Sequence, residues 1–455
     1  MILSLVQPAL VLVVMIAVLA LLWRFPIQTA LTVVAAAMAL DTFVGPEAID
    51  TGIMGIFVYA DDAACAILLC AGCMAVVRWR KAPPRGGWIV LALLGLVVLN
   101  LARGASEFGV KPAGNGVRTL TYLIVPGIAF MLLRPALRLD PPRLAKWLIV
   151  TSLACTAVSL CRWAGVLPGP QAPQDNLREV PRVLPADYAL ILCQALLGAF
   201  CLWLARGFKR WWAAALAVGF VVEILFLQDR SVWAATIVGL VWFAVRTVGS
   251  SHKLWLGVTI GTLFALVFLI AVVPGVGNTV GNLIGANLQE VEGSRSTWAW
   301  RTKGFEEAID RTFSGSTAEM LIGPPAGRNL GSGASFASVI IHDRYVDTLA
   351  YYGIVGEILL VVWLLLVARS LGPWGPLRHQ QDREYEAGRA FLQALLLSTL
   401  TFFVPYSGGL PLGTAIGLMW AVAMKGPAKR KGIRVSTYIG DVQTPAIKAP
   451  SLQIR

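Results

Sequence analysis

Apolar runs of roughly 15 to 25 residues recur from one end of this chain to the other, and nothing else in it limits folding so severely. Each run can cross a hydrocarbon core about 30 Å thick as a helix. Inside lipid every backbone N–H and C=O must be satisfied by the protein, so a spanning segment is either a helix or part of a closed barrel. Barrel strands would alternate over about 10 residues, whereas these runs are continuously apolar. Composition agrees: 57% of the 455 residues are hydrophobic and 14% are charged, where a soluble domain has about 25% charged. Mean hydropathy is +0.71. The expected fold is an all-α polytopic membrane protein, which excludes a soluble enzyme and a β-barrel.

The runs fall at 2–23, 27–43, 53–77, 87–102, 119–136, 145–163, 187–205, 211–228, 231–246, 254–274, 345–368, 389–405 and 409–424, which makes 13 candidates. Only Arg24-Phe25-Pro26 separates the first two, and with one of them re-entrant the count becomes 12. The first run lacks a basic flank and reads as a span, not a cleaved signal. The chain thus divides into a helical bundle over 1–274, a long loop over 275–344, C-terminal helices over 345–424 and a tail over 425–455.

The net charge of +13 would raise nucleic acid as a partner in a soluble protein. Here it follows from topology, and no nucleic acid is expected. Clusters at Arg78-Trp79-Arg80-Lys81, Arg134 to Lys146, Arg206 to Arg210, Arg246 with Lys253, and Arg369 to Arg389 occupy every second connection. The positive-inside rule assigns those connections and the tail to the cytoplasm. The tail carries seven basic residues and one acidic residue, and its composition reads as disordered beside anionic headgroups. The connections 103–118, 164–186, 228–230, 275–344 and 406–408 then face outward.

Within the long loop, Trp298, Arg301, Phe305, Ala308, Ile309 and Phe313 recur at helical spacing, which predicts an amphipathic helix at the outer membrane face. Gly323-Pro324-Pro325 and Gly331-Ser332-Gly333 predict turns. All seven cysteines lie in apolar runs, so no disulfide framework is implied. Cys70-Ala-Gly-Cys73 has no second ligand pair and reads as small buried side chains. Motifs for a metalloprotease, a nucleotide-binding P-loop and a serine hydrolase are absent, as is an outward acidic cluster that would hold a divalent cation.

Of three histidines, His252 and His379 fall in cytoplasmic connections, and His342 alone lies outside, at the mouth of a span. Imidazole is the side chain suited to proton transfer near neutral pH. The outward segments are unexpectedly basic, with Arg103, Lys111, Arg118, Arg162, Arg178, Arg182, Arg230, Arg295, Arg301, Lys303, Arg311, Arg328 and Arg344. An anionic ligand would explain them, since guanidinium binds phosphate bidentately; snorkelling to lipid phosphates is the plainer alternative. Gln228-Asp229-Arg230-Ser231 is a very short hairpin in which Arg230 adds to a helix N-terminus, a phosphate-binding combination. Asp229 either orients Arg230 or neutralises it.

The segment from His342 through Tyr345, Leu349 and Gly353-Ile354-Val355-Gly356 resembles the His-to-Gly pattern of the O-antigen ligase and polymerase superfamily. Gln228-Asp229-Arg230-Ser231 is similar to that family's Arg-containing turn between spans. Arg295-Ser296-Thr297-Trp298, leading to Leu321-Ile322-Gly323, resembles its Arg-then-Trp helix and following glycine turn. The likeness covers roughly 187–370, with Asp343 where the family often has Asn.

The resemblance implies a glycosyltransferase of the bacterial inner membrane with about 12 (12–13) helices, a GT-C-like fold and one large periplasmic loop carrying amphipathic helices. It further implies a site facing the periplasm and a cytoplasmic C-terminus. The implied donor is an undecaprenyl-diphosphate-linked glycan and the acceptor a sugar of lipid A–core, joined by inverting transfer without a metal or other cofactor. On that resemblance His342 is the base, and Arg230 and Arg295 stabilise the diphosphate leaving group. Arg301, Arg182, Arg178, Tyr345 and Asp229 bind substrate. A repeat-unit polymerase or a protein O-oligosaccharyltransferase of the same superfamily is an alternative, and a transporter or flippase is the competing class.

Overall fold

The computed structural model describes residues 17–44, 49–50, 57–80, 82–84, 86–137, 139–167, 183–205, 207–227, 229–247, 297–328, 343–374 and 383–424. Fourteen helices occupy them: α1 (17–24), α2 (Pro26–Val44), α3 (Ala60–Trp79), α4 (Gly87–Phe108), α5 (Val110–Leu133), α6 (Pro141–Trp163), α7 (Ala186–Leu204), α8 (Arg210–Leu227), α9 (230–247), α10 (Thr297–Ser314), α11 (Thr317–Ile322), α12 (Arg344–Ser370), α13 (Arg383–Phe403) and α14 (Leu410–Ala423). A two-residue antiparallel pairing of Ile49–Asp50 with Phe57–Val58 precedes α3.

Among the described residues, seven helices are long and apolar enough to cross a membrane: α3, α4, α5, α6, α7, α8 and α12. The chain is a multi-pass helical membrane protein. The run expected at 254–274 lies outside the described residues, as do 275–296 and the tail.

Successive helices run up and down, so their ends sort into two layers. One layer holds Arg78, Arg80, Arg134, Arg143, Lys146, Lys209, Arg210, Arg246, Arg369 and Arg389, and is here the basic end. At the opposite end lie the starts of α3, α5, α7, α12 and α14 and the close of α4, α6, α8 and α13.

Helix α7 lies deepest, with every residue from Tyr188 to Leu202 buried. Helix α5 is nearly as enclosed and carries Pro126 within it. A proline removes one helical hydrogen bond and exposes carbonyls. Helix α14 meets that stretch through Gly413 and Gly417: a Cβ at Gly417 would lie 2.7 Å from the Pro126 carbonyl oxygen, and one at Gly413 would strike the Tyr122 and Leu123 carbonyls. Small residues four apart let helix backbones approach closely where lipid supplies no hydrophobic drive.

Two boundaries differ from expectation. Residues 103–118 are not a loop: α4 runs to Phe108 and α5 starts at Val110, with only Gly109 between them at φ 86°. Its charged residues sit on helices 22 and 24 residues long, longer than the roughly 20 a bilayer needs, so the hairpin tip can project. Helix α3 starts at Ala60, not at 53, because Asp61 and Asp62 favour a helix N-terminus and the Asp62 carboxylate accepts the Tyr59 N–H at 3.0 Å.

The amphipathic stretch of the long loop is α10, over Thr297–Ser314. Ala308 packs on Ala350 with Phe305, Val346 and Tyr351 around them, while Ile309 and Phe313 stay exposed. Helix α10 therefore lies against the first turns of α12.

Candidate functional site at the end opposite the basic clusters

The start of α12 is built around two neighbouring residues. Asp343 caps the helix, its carboxylate accepting the backbone N–H of Tyr345 at 2.8 Å and of Val346 at 2.9 Å. Burial pushes that carboxyl above the ordinary carboxylate range, while the two N–H donors and Arg344 pull it back. Arg344 is fully buried. Its guanidinium donates to the carbonyls of Ser407 at 2.5 Å, Gly408 at 2.7 Å and Thr119 at 3.4 Å, and pairs with Asp347 at 3.3 Å. One side chain thus binds α12, α5 and the α13–α14 connection together.

Helix α12 is interrupted at Gly353, where φ 66° and ψ −170° leave the helical region. The break is filled by the turn after α11. A Cβ on Gly353 would lie 2.6 Å from the Leu321 carbonyl carbon and 2.7 Å from the Gly323 nitrogen. Asn100 of α4 donates to the carbonyls of Ile322 at 2.7 Å and Tyr351 at 3.4 Å. Arg103 donates to Asn100 and to the Gly323 carbonyl, both at 2.9 Å. The turn 323–327 then lies along Gly104 and Gly116, where any side chain would collide with Ala326 or Gly327.

Tyr345 leans on the last turns of α13, its hydroxyl donating to the Leu400 carbonyl at 3.5 Å and its ring edge-on to Phe403 at 6.4 Å. On another side of α13 runs α9, antiparallel: Arg246 pairs with Glu386 at 3.7 Å, Trp242 donates to Gln393 at 3.4 Å, and Gly239 lies against Ala394 and Ser398. Continuing that register places the start of α9 beside the last residues of α13. There the Asp229 carbonyl accepts the N–H of Val232 at 2.9 Å and of Trp233 at 3.0 Å, opening the helix. Asp229 is buried and Arg230 half-buried. The close of α13 therefore separates two helix starts, one bearing Asp229-Arg230-Ser231 and the other Asp343-Arg344-Tyr345.

Of the residues expected to form a site, Arg230, Asp229 and Tyr345 are thus brought to one end of the bundle. For Arg301 the backbone belongs to α10, and its side chain lies outside the described residues. His342, Arg295, Arg178 and Arg182 also lie outside them.

The outward arginines divide. Arg118 binds Asp62 at 2.8 Å, and Tyr122 donates to the same carboxylate at 2.7 Å. Arg162 donates to the Val183 carbonyl at 2.5 Å and to the Thr42 carbonyl, and Arg328 pairs with Glu319 at 2.6 Å. Together with Arg103 and Arg344, these join helices and turns, a role their sequence positions did not distinguish from ligand binding. Asn100 was missed altogether, although a polar residue inside the apolar run 87–102 was a signal. None of the seven cysteines is in a disulfide; Cys70 and Cys73 are exposed on α3 instead of buried. Among the described residues no three His, Cys, Asp or Glu side chains converge as metal ligands would.

No family model matches the chain, and no curated protein matches it.

Proposed function

We propose that this chain is a glycosyltransferase of the O-antigen ligase kind, working at the periplasmic face of a bacterial inner membrane. It takes a glycan from undecaprenyl diphosphate and places it on a sugar of lipid A–core, completing lipopolysaccharide. The observation that carries the reading is the pair of helix starts at the close of α13. One presents Arg230 at a helix N-terminus, where the positive end of the helix dipole adds to its charge, and the other follows directly on His342. An anionic leaving group suits the first, and an acceptor hydroxyl suits the second.

In the reaction, the acceptor oxygen attacks the anomeric carbon from the face opposite the diphosphate. His342 takes the hydroxyl proton as the new C–O bond forms. The bond to the diphosphate breaks, and its electron pair leaves on undecaprenyl diphosphate. Arg230 and Arg295 hold that growing charge without a metal, while Arg301, Arg182, Arg178 and Tyr345 shape the pocket and Asp229 sets Arg230. The rigid seat of Asp343 and Arg344 fixes the backbone that follows His342, which is what a positioned base requires.

The test is complementation of a deletion strain. His342→Ala should insert normally and abolish smooth lipopolysaccharide, and normal ligation by that variant rejects the assignment. Single capped repeats in the deletion strain would instead mean a polymerase, and lipid-linked full chains mean a ligase.

The break in α12 favours a second reading, since interrupted helices are a feature of transporters. Against it, this break is packed by the chain's own 321–323 turn. Glycan transfer by purified protein in detergent, where no gradient exists, separates the two.

A further inference from the structure

A cavity of about 1500 Å³ runs through the depth of the bundle between α2 and α6, walled behind by α7 and α14. It exceeds the roughly 300–1,000 Å³ that holds drug-sized ligands. Helix α2 packs on α3, and α6 on α7, which leaves the gap between α2 and α6. The lining is mostly apolar, with Leu31, Met38, Leu148 and Val158 among the side chains that face it and Thr151 and Gln194 among the few polar ones.

The two ends of the cavity differ. Beyond one end of the lining, Arg162 ties α6 to the carbonyls of Thr42 and Val183. Tyr188, in the lining at that end, donates to Asp41 at 3.0 Å, and Asp61 and Asp187 occupy the same layer in the first turns of α3 and α7. The other end is the basic one, rimmed by exposed Arg24, Arg78 and Arg143, the last beside the exposed Asp140 carboxylate at 3.6 Å, which leaves the rim a net positive charge. Arg78 lies over the rings of Trp23 and Trp79 at 5.6 and 5.5 Å, and Trp147 stands exposed on the rim. Tryptophan and arginine together mark headgroup level.

We infer that this cavity is a binding site for an anionic phospholipid of the leaflet at the basic end. Its phosphate would sit among Arg24, Arg78 and Arg143, and its acyl chains would fill the space between α2 and α6. The charge balance favours one orientation: phosphate meets three guanidinium groups at the basic end, whereas at the other it would meet the Asp41, Asp61 and Asp187 layer and an Arg162 already donating to two carbonyls. This site lies at the opposite end of the bundle from α12's start, and so it does not depend on glycosyl transfer.

The experiment is native mass spectrometry of the full chain in detergent, supplied with phosphatidylglycerol or with phosphatidylcholine of identical acyl chains. Phosphatidylglycerol should be retained and phosphatidylcholine should not. The triple variant Arg24→Gln, Arg78→Gln, Arg143→Gln should lower retention at least ~10-fold, since each basic group near an anionic headgroup contributes a several-fold factor. The groove-filling Ala154→Trp should lower it comparably with all three arginines in place, and Lys209→Gln with Arg210→Gln, at the same end but off the rim, should not. Equal retention of the two lipids overturns the proposal, as does full retention by the triple variant. Full retention by Ala154→Trp overturns it too, because the headgroup would then be held at the surface without the groove. So does a dimer that added phosphatidylglycerol dissolves, because the groove would then seat a second copy of the chain.

Discussion

Arg344→Met isolates what the buried guanidinium does. The substitution keeps length and apolar bulk while removing donors from the Ser407, Gly408 and Thr119 carbonyls and from the Asp347 carboxylate. Removing one partner of a buried ion pair costs about 3–5 kcal/mol, because the other charge stays behind uncompensated. A buried carbonyl left without its donor costs about 1–3 kcal/mol, and some of these will find water at the membrane surface. A loss of about 4–6 kcal/mol is therefore expected, which is a large share of a typical folding stability. Adding Asp347→Leu removes the stranded carboxylate and should return about 2–3 kcal/mol, leaving only the carbonyl losses. Unfolding in mixed micelles by SDS titration, followed through the chain's 16 tryptophans, measures both variants. A single variant within about 1 kcal/mol of the parent would refute the reasoning, since the side chain would then not be joining α12, α5 and the α13–α14 connection. A double variant less stable than the single one would equally refute the ion-pair part of it.

Gly353→Ala forces a left-handed backbone on a β-carbon and drives it into the 321–323 turn, so it should cost more than about 2 kcal/mol; the check is protease cleavage within 315–328, which should rise, and unchanged protection counts against the packing described. Asp343→Asn keeps a good cap and Asp343→Ala does not, so the second should lose about 1 kcal/mol more than the first. Because the Asp343 carboxyl titrates above its ordinary range when folded, the folded state prefers the protonated form, and this residue's contribution to stability grows as pH falls toward and below that range; Asp343→Asn should flatten that part of the stability profile, measured by micelle unfolding at several pH values. Arg230→Ala should slow glycan transfer about 10²–10³-fold in a reconstituted assay, with Arg230→Lys recovering part of it, and an unaffected rate removes Arg230 from the site.

The seven spanning helices α3 to α8 and α12 could be read directly because lipid imposes length and polarity on each segment independently. Residues 103–118 could not, since Arg103, Lys111 and Arg118 look the same on a projecting helix as in a loop. The packing of Gly104 and Gly116 on 326–327 joins residues more than 200 positions apart, a distance over which periodicity carries no information. The same applies to Arg344: a charge at a membrane boundary is visible in the sequence, but the carbonyls of Ser407 and Gly408 that absorb it are not. His342 was singled out by its place in the topology, and only the residues following it are positioned by the contacts above. For α10 the spacing announced a helix; which face it buries, Ala308 and not Phe313, depended on what α12 presents to it.

The interruption of α12 at Gly353 also bears on how the protein is made. A helix with exposed peptide groups partway along is a poor passenger for a translocation channel that releases segments sideways into lipid. Asn100 donates to the Tyr351 carbonyl beside the break, and the turn behind α11 packs against it; both are synthesised earlier. The lipid-exposed cost of that break is therefore lowest once α4 already stands beside it, which makes the order of the helices along the chain part of how the interruption is tolerated.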